Sequence, residues 1–231
     1  MTDSLTTRPH HQPYPALKPF SHNRVIPVIR ALSAKDAQWG AEQLVAAGFR
    51  ILEITWTTPD AHLVIQTLRQ KYPEVSIGAG TVLSTRHINQ ALEAGAQWMV
   101  SPIYSQELLE YAKTTAPQIA LIPGVSTPSE VYQAHSNGAL AIKLFPIQPL
   151  GGVPYFRSIQ EPLSPLSPIH FIPTGGVALN QISDYLNAGA LAVGLGSQLI
   201  SPAMLQQRDA ATLQERAKTA LLTQNEGVSS Q

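Results

Sequence analysis

One stretch decides the fold, the apolar run Gly138-Ala139-Leu140-Ala141-Ile142-Lys143-Leu144-Phe145-Pro146, which has the length of a strand and carries a single charge near its end. Because side chains alternate along a strand, Lys143 shares one face of a covered sheet with Ala141 and Phe145. Ile142 and Leu144 take the other face. The run therefore predicts a lysine held beside small and aromatic neighbours.

Lys143 decides which chemistry this strand supports. An ammonium beside apolar groups is poorly solvated, so its pKa falls, and a partly neutral lysine can attack a carbonyl to form a Schiff base. The alternative is a lysine at a strand end whose stem is buried and whose head reaches water.

Length and charge narrow the class of protein. A chain of 231 residues, 44% of them hydrophobic and 13% charged, can form one large α/β barrel or two small domains. The 15 Lys and Arg residues balance the 15 Asp and Glu residues, so the protein has no net positive charge that would attract nucleic acid or an acidic membrane surface. We expect neither partner, and any anion binding has to be local.

Cysteine usage and the chain ends add further expectations. The lack of cysteine excludes disulfides, thiolate catalysis and cysteine-ligated metal, and favours the cytoplasm. No apolar run approaches the ~20 residues of a membrane span, and the N-terminal stretch has no signal-peptide core. We predict a flexible tail at residues 1–20 whose end packs under the core, a single barrel domain at 21–223, a second tail at 224–231, and no metal or cofactor.

A strand followed by a helix recurs along the chain at intervals of roughly 20 to 30 residues. Predicted strands cover residues 25–30, 51–56, 75–80, 98–100, 119–122, 138–146, 169–172 and 191–194. Predicted helices cover residues 34–47, 60–71, 84–93, 106–113, 128–136, 155–160, 179–187 and 204–222. Eight such units favour an α/β fold of the (β/α)8 TIM-barrel type. The alternative, a doubly wound sheet that binds a dinucleotide, is weak because neither Gly78-Ala79-Gly80 nor Gly194-Leu195-Gly196 continues to the third glycine of that fingerprint.

Polar side chains collect where the predicted strands end, which is where a barrel carries its chemistry. The first strand ends at Arg30, the second carries Glu53, and the third leads to Thr81. If Glu53 is inward, it faces the same interior as Lys143. A carboxylate near a Schiff-base lysine can remove and return protons through carbinolamine, imine and enamine steps. A buried Glu–Lys ion pair that only supports structure is the alternative.

Two glycine-rich loops follow the last two strands. Pro173-Thr174-Gly175-Gly176-Val177 comes after the seventh strand and Gly194-Leu195-Gly196-Ser197 after the eighth. Barrels commonly bind a phosphate at these positions, and glycines let the backbone approach the anion. Together the two loops predict a phosphate site.

With these features, the chain resembles the 2-keto-3-deoxy-6-phosphogluconate / 2-keto-4-hydroxyglutarate (KDPG/KHG) aldolase family from about Val25 to Leu199. The motifs that carry the resemblance are Val25-Ile26-Pro27-Val28-Ile29-Arg30, Leu52-Glu53-Ile54-Thr55, Gly78-Ala79-Gly80-Thr81-Val82-Leu83, Ser101-Pro102, Pro123-Gly124-Val125-Ser126-Thr127-Pro128-Ser129-Glu130, Lys143-Leu144-Phe145-Pro146 and the two loops above.

The resemblance implies a class I lyase of the Entner-Doudoroff pathway, acting on a small-molecule 2-keto acid and forming a homotrimer. Lys143 would form the imine and Glu53 would be the general acid/base. Arg30 and Thr81 would help hold the carboxylate or another anionic end of the substrate, and Pro102 is a further expected contact. The phosphate would be held by Gly175, Gly176, Gly196 and Ser197, with Thr174 lining the pocket.

The chain departs from the family pattern at three positions. Thr57 stands where the family has a second arginine, Ile103 replaces a glycine, and Gln148 replaces a glutamate. Losing a buried carboxylate contact costs ~2–5 kcal/mol, so the choice of substrate stays open. The retained glycine loops favour the phosphorylated substrate. Decarboxylation of oxaloacetate through the same imine, and a barrel that binds a keto acid or sugar phosphate without catalysis, are the alternatives.

Overall fold

The computed structural model of the chain describes residues 14–166 and 168–226. The strands are β1 (Val25–Ile29), β2 (Ile51–Thr55), β3 (Ser76–Gly80), β4 (Met99–Val100), β5 (Leu121–Ile122), β6 (Gly124–Val125), β7 (Ile142–Leu144), β8 (Phe171–Pro173) and β9 (Val193–Leu195). The helices are α1 (Lys18–His22), α2 (Ala34–Ala46), α3 (Ala61–Lys71), α4 (Thr85–Glu93), α5 (Gln106–Thr115), α6 (Pro128–Ser136), α7 (Gly152–Gln160), α8 (Ile182–Asn187), α9 (Pro202–Gln207) and α10 (Ala210–Glu226). Short 3-10 helices cover Pro15–Leu17, Glu161–Leu166 and Leu179–Gln181.

The strands form two parallel sheets, one in the order β5-β4-β3-β2-β1-β9 and one in the order β6-β7-β8. The predicted α/β class is confirmed. The predicted fifth strand, residues 119–122, is observed as β5, and a further strand that the sequence pattern did not predict, β6, follows Pro123, which has no N–H group to continue a ladder. β5 pairs with β4, and β6 pairs with β7. A bridge between Thr174 and Gly194 joins the other edges of the two sheets.

Buried apolar side chains form two clusters on opposite faces of the curled sheets. Ile142 and Leu144 belong to the cluster that packs against the helices. Ala141 belongs to the second cluster, with Trp98 and Ile172, on the face turned away from α2–α8, which we call the inner face. The alternation predicted for the lysine strand is confirmed, although the strand itself is shorter than the predicted 138–146.

The segments at the two chain ends pack against the same sheet. Residues 1–13, most of the predicted tail, lie outside the described residues. From residue 15 the chain is helical, and Phe20 is fully buried with its ring centre 5.2 Å from that of Trp98. At the other end, α10 runs past the predicted boundary at residue 224, because Gln224 Oε1 accepts hydrogen bonds from the backbone of Arg24 and Val25 at 2.9 and 3.0 Å.

The single helix predicted over residues 204–222 is wrong, because the structure divides it at Arg208. That residue adopts a left-handed conformation with φ 55°, and its guanidinium donates to Asp36 at 2.9 Å. Asp209 then accepts the N–H of Thr212 at 3.1 Å and begins α10. Within the described ranges, the structure contains no helix long and apolar enough to cross a membrane.

Candidate active site

Lys143 lies in the middle of β7, and alternation turns its side chain to the inner face. The residue is 7% exposed, and Nζ lies 4.8 Å from the centre of the Phe145 ring. Burial lowers the pKa of the Lys143 amine; the charge of Glu53 opposes this effect and that of Arg30 adds to it. A lowered pKa increases the neutral fraction, which is the nucleophilic form of a lysine.

Glu53 lies in the middle of β2 and is 3% exposed. Burial raises the pKa of its carboxyl group, while the positive charges of Lys143 and Arg30 act in the opposite direction and lower it. No described residue forms a hydrogen bond with Glu53 Oε1. A carboxyl group with a raised pKa and an uncommitted oxygen can both accept and return a proton near neutral pH.

Lys143 and Glu53 influence each other without forming a direct ion pair. Each is an electrostatic perturber of the other's pKa, which requires proximity. Within the described part of the chain, the side-chain ion pairs join Lys71 to Glu42 at 2.8 Å and Arg208 to Asp36 at 2.9 Å. A purely structural Glu–Lys pair is therefore disfavoured, and both groups remain available to a substrate.

Three predicted contacts for the anionic end of a substrate follow β1, β3 and β4. Arg30 is exposed, and its charge acts on the pKa of both Lys143 and Glu53. Thr81 is half-buried with φ 60°, a left-handed conformation that is uncommon for a β-branched residue and costs ~1–3 kcal/mol. Pro102 is half-buried, and Gly124 packs against it so closely that an added Cβ would lie 2.5 Å from the Pro102 carbonyl oxygen.

Position 57 is open to solvent. The Thr55 hydroxyl donates to the Ile29 carbonyl at 3.2 Å and pairs with the Thr57 hydroxyl at 2.9 Å. The neighbouring Trp56 ring packs against His87, with the ring centres 5.7 Å apart. The Trp56 side chain therefore lies on the side of the loop that faces α4.

Two turns carry the predicted phosphate contacts, and they follow strands joined by the Thr174–Gly194 bridge. Gly175 and Gly176 have φ 101° and 84°, conformations that favour glycine. Thr174 is buried, and an added Cβ on Gly194 would lie 2.4 Å from its Oγ1. Within the described ranges, no backbone acceptor is found for the N–H groups of Gly176, Val177, Ser197 and Gln198. Such N–H groups can bind an anion.

The Ser197 turn is supported from behind by α10. Arg216 donates to the carbonyl oxygens of Ser197 and Gln198 at 3.4 and 3.1 Å. Gly196 has open space where a Cβ would be. Carbonyls held by Arg216 leave the N–H side of the turn free for an anion.

Sequence reasoning missed a network that holds the loop after β6 against the lysine strand. The Ser126 hydroxyl donates to the Phe145 carbonyl at 2.7 Å, and the Tyr155 hydroxyl donates to the Ser126 carbonyl. Glu130 Oε2 accepts the backbone N–H groups of Ser126 and Thr127 at 2.8 and 2.9 Å. The Thr127-x-x-Glu130 spacing is the sequence signal of such a capping box. The network fixes Phe145, whose ring faces Lys143.

No group of three or more His, Asp or Glu side chains in residues 14–166 and 168–226 could hold a metal ion.

Comparisons with known proteins agree on one family. A family model described as KDPG and KHG aldolase matches residues 18–215. The chain is 35% identical over 199 residues to the 2-dehydro-3-deoxy-phosphogluconate aldolase of Pseudomonas aeruginosa, covering 86% of this chain and 88% of that protein. It is 36% identical over 197 residues to the KHG/KDPG aldolase of Escherichia coli strain K12, covering 85% and 90%. Among solved structures, the KDPG aldolase of Legionella pneumophila, with pyruvate captured at low pH as a covalent carbinolamine intermediate, matches with a TM-score of 0.80 at 31% identity and covers 91% and 98%.

Proposed function

The chain belongs to the KDPG and KHG aldolase family, and from that premise we propose that it is a Schiff-base lyase that cleaves a 4-hydroxy-2-keto acid to pyruvate and an aldehyde. One observation carries the proposal: Lys143, with a lowered pKa, and Glu53, with a raised pKa, are buried and act on each other without a direct ion pair. An acid/base and a nucleophile with displaced pKa values are the two groups that imine chemistry needs.

Lys143 Nζ attacks the ketone carbon of the substrate, and a carbinolamine forms. Loss of water gives a cationic imine. The imine then accepts the electron pair of the bond between C3 and C4 as that bond breaks. Glu53 removes the proton of the C4 hydroxyl, so the aldehyde leaves and an enamine remains. Glu53 then protonates the enamine carbon, and water releases pyruvate from Lys143. The carbinolamine captured in the Legionella pneumophila relative supports this route.

We propose 2-keto-3-deoxy-6-phosphogluconate, which yields glyceraldehyde 3-phosphate, as the preferred substrate. Support comes from the two turns whose N–H groups have no backbone acceptor in the described residues, at Gly176 and Ser197. Gly175 and Gly196 let the backbone approach the phosphate, and Thr174 lines the pocket between them. 2-Keto-4-hydroxyglutarate, which yields glyoxylate, lacks the phosphate and uses fewer of these contacts.

The carboxylate of the substrate is assigned to Arg30 and Thr81, with Pro102 beside it. The charge of Arg30 is close enough to act on both Lys143 and Glu53. A guanidinium there holds the carboxylate while the ketone carbon faces the amine. It also disfavours a second positive charge on Lys143 before the substrate binds.

The proposal extends to the architecture. A single domain at residues 21–223 with a closed (β/α)8 barrel is supported by the Thr174–Gly194 bridge and by β5 and β6 flanking Pro123. A homotrimer is the assembly that the family resemblance implies, and the lack of cysteine favours a cytoplasmic location.

Pyruvate release tests the function. Purified protein is given each phosphorylated and unphosphorylated 4-hydroxy-2-keto acid, and oxaloacetate, in an assay coupled to lactate dehydrogenase, with Lys143→Met as the control. We expect cleavage of the phosphorylated acid to be fastest and to be lost in the control. Release from oxaloacetate alone would identify a decarboxylase, and no release from any acid would identify a binding protein.

A further inference from the structure

Gln148 connects the lysine strand to the Gly175–Gly176 turn. Its backbone N–H donates to the Gly175 carbonyl at 3.0 Å. Its stem lies against Gly176, where an added Cβ would be 2.8 Å from Gln148 Cβ. Its side-chain Nε2 donates to Gln181 Oε1. Gln148, which lies four residues beyond the end of β7, therefore contacts both glycines of the turn.

Gln181 completes the connection from the other side of the turn. The same Oε1 that accepts from Gln148 also accepts the backbone N–H of Ala178 at 3.2 Å. Ala178 comes two residues after Gly176, where the 3-10 helix Leu179–Gln181 begins. The turn is thus held at Gly175 by the backbone N–H of Gln148 and after Gly176, at Ala178, by the paired side-chain amides of Gln148 and Gln181.

Two consecutive glycines need such support. Glycine loses more conformational freedom on ordering than any other residue, and both glycines here have positive φ. A turn ordered before binding does not have to be ordered by the ligand, so its affinity for an anion is higher.

We infer that Gln148 is a positioning residue that acts through Gln181 to hold the Gly175–Gly176 turn in the conformation that presents its N–H groups to the phosphate end of the substrate. This inference rests on the proposed function for the identity of the substrate, but the contacts that carry it do not depend on catalysis. It makes Gln148 a determinant of phosphate affinity and leaves the imine chemistry of Lys143 to other residues.

Two isosteric substitutions distinguish the effect of losing the Gln148–Gln181 hydrogen bond from the effect of adding a negative charge near the turn. Gln148→Glu installs the residue that the family resemblance leads one to expect at this position. In this chain it replaces the donor with a carboxylate that faces the acceptor Gln181 Oε1, so the connection breaks. Gln181→Glu adds the same charge, but its carboxylate still accepts from Gln148 and Ala178, so the connection survives. Gln133→Glu, on an exposed position of α6, is the matched charge control.

The probe is glycerol 3-phosphate, an unreactive phosphate ester, with glycerol as its uncharged control, and binding is measured by isothermal titration calorimetry. Gln148→Glu should weaken binding at least about tenfold, and Gln181→Glu less than about threefold. Borohydride trapping with pyruvate should proceed in Gln148→Glu at the wild-type rate. In cleavage assays, KM for the phosphorylated acid should rise while kcat changes less than about twofold.

Equal weakening in the two variants would overturn the inference, because charge alone would then be the cause. Weakening equal to that of Gln133→Glu, or no binding of glycerol 3-phosphate to the wild type, would overturn it too. Matching thermal unfolding midpoints establish that the variants fold, and Gln181→Met, which removes the acceptor without adding charge, should reproduce the loss. If the wild type binds the probe in this pattern but cleaves no phosphorylated acid, the proposed function fails and the inference stands.

Discussion

The Glu53 carboxylate occupies the space where a side chain at Gly80 would be: an added Cβ on Gly80 would lie 1.9 Å from Glu53 Oε1. The two residues lie on neighbouring strands, and the missing side chain makes room for the carboxylate on the inner face. Gly80→Ala therefore has to displace Glu53. We expect a loss of about 10²-fold or more in kcat while pyruvate is still trapped by borohydride.

A double-mutant cycle tests whether Gly80 acts through Glu53. In a Glu53→Gln background, Gly80→Ala should cost less than about threefold more in kcat, because residues that share one function are not additive. A full second loss in kcat would show that Gly80→Ala disturbs the fold as a whole and does not act through Glu53.

Glu53→Gln alone should slow pyruvate release about 10²–10⁴-fold, the range for a positioned acid/base, while imine formation partly survives. Glu93→Gln, at an exposed position at the end of α4, is the matched control. Steady-state kinetics and trapping on the same samples decide the matter. A loss below about threefold would reduce Glu53 to a structural partner.

Lys143→Met should stabilise the protein. The folded pKa of Lys143 is below its unfolded value, so between the two values the unfolded chain binds more protons and the free energy of unfolding rises with pH. Removing the amine should therefore raise that free energy near pH 7. The gain should be larger at lower pH and vanish above the ordinary lysine pKa of 10.5.

Urea unfolding over this pH range measures the effect. Lys218→Met, on the exposed face of α10, should change the free energy of unfolding by less than about 0.5 kcal/mol. Destabilisation by Lys143→Met at low pH would mean that the ammonium is well paired in the folded protein.

Thr57→Arg should restore the arginine that the family resemblance leads one to expect. Position 57 is exposed and Trp56 packs against His87, so a guanidinium has space to reach the site. The gain in kcat/KM should be larger for 2-keto-4-hydroxyglutarate than for the phosphorylated acid, which already has a second anchor in its phosphate. Steady-state kinetics on both acids measure it, and an equal gain on the two would contradict the two-anchor account.

Alternation along short strands was enough to predict the faces of the fold. It put Lys143 on the face opposite Ile142 and Leu144, and the two buried clusters divide in this way. The strand predicted at residues 119–122 ends where β5 ends, before Pro123, which cannot donate to a ladder. The break in the last helix at Arg208, by contrast, depends on a tertiary ion pair with Asp36. Contacts between residues far apart in sequence leave no local pattern.

Some features of the candidate site were likewise predictable from local sequence, whereas others depend on contacts between distant residues. The burial of Lys143 and Glu53 followed from their apolar neighbours in sequence. The pairing of Gln148 with Gln181 and the support of Phe145 by Ser126 join residues 33 and 19 positions apart, and only the folded chain brings them together. The roles assigned to the site residues stay predictions: Lys143, Glu53, Arg30, Thr81, Pro102 and the two turns.

Borohydride reduction in the presence of pyruvate, followed by peptide mass mapping, tests the central claim most directly. Hydride reduces the imine carbon, so the pyruvyl group stays attached through a stable secondary amine. The account predicts that this mass appears on the peptide that contains Lys143, that it is absent without pyruvate, and that Lys143→Met abolishes it. A pyruvyl mass on a different peptide, or on none, would contradict the Schiff-base account.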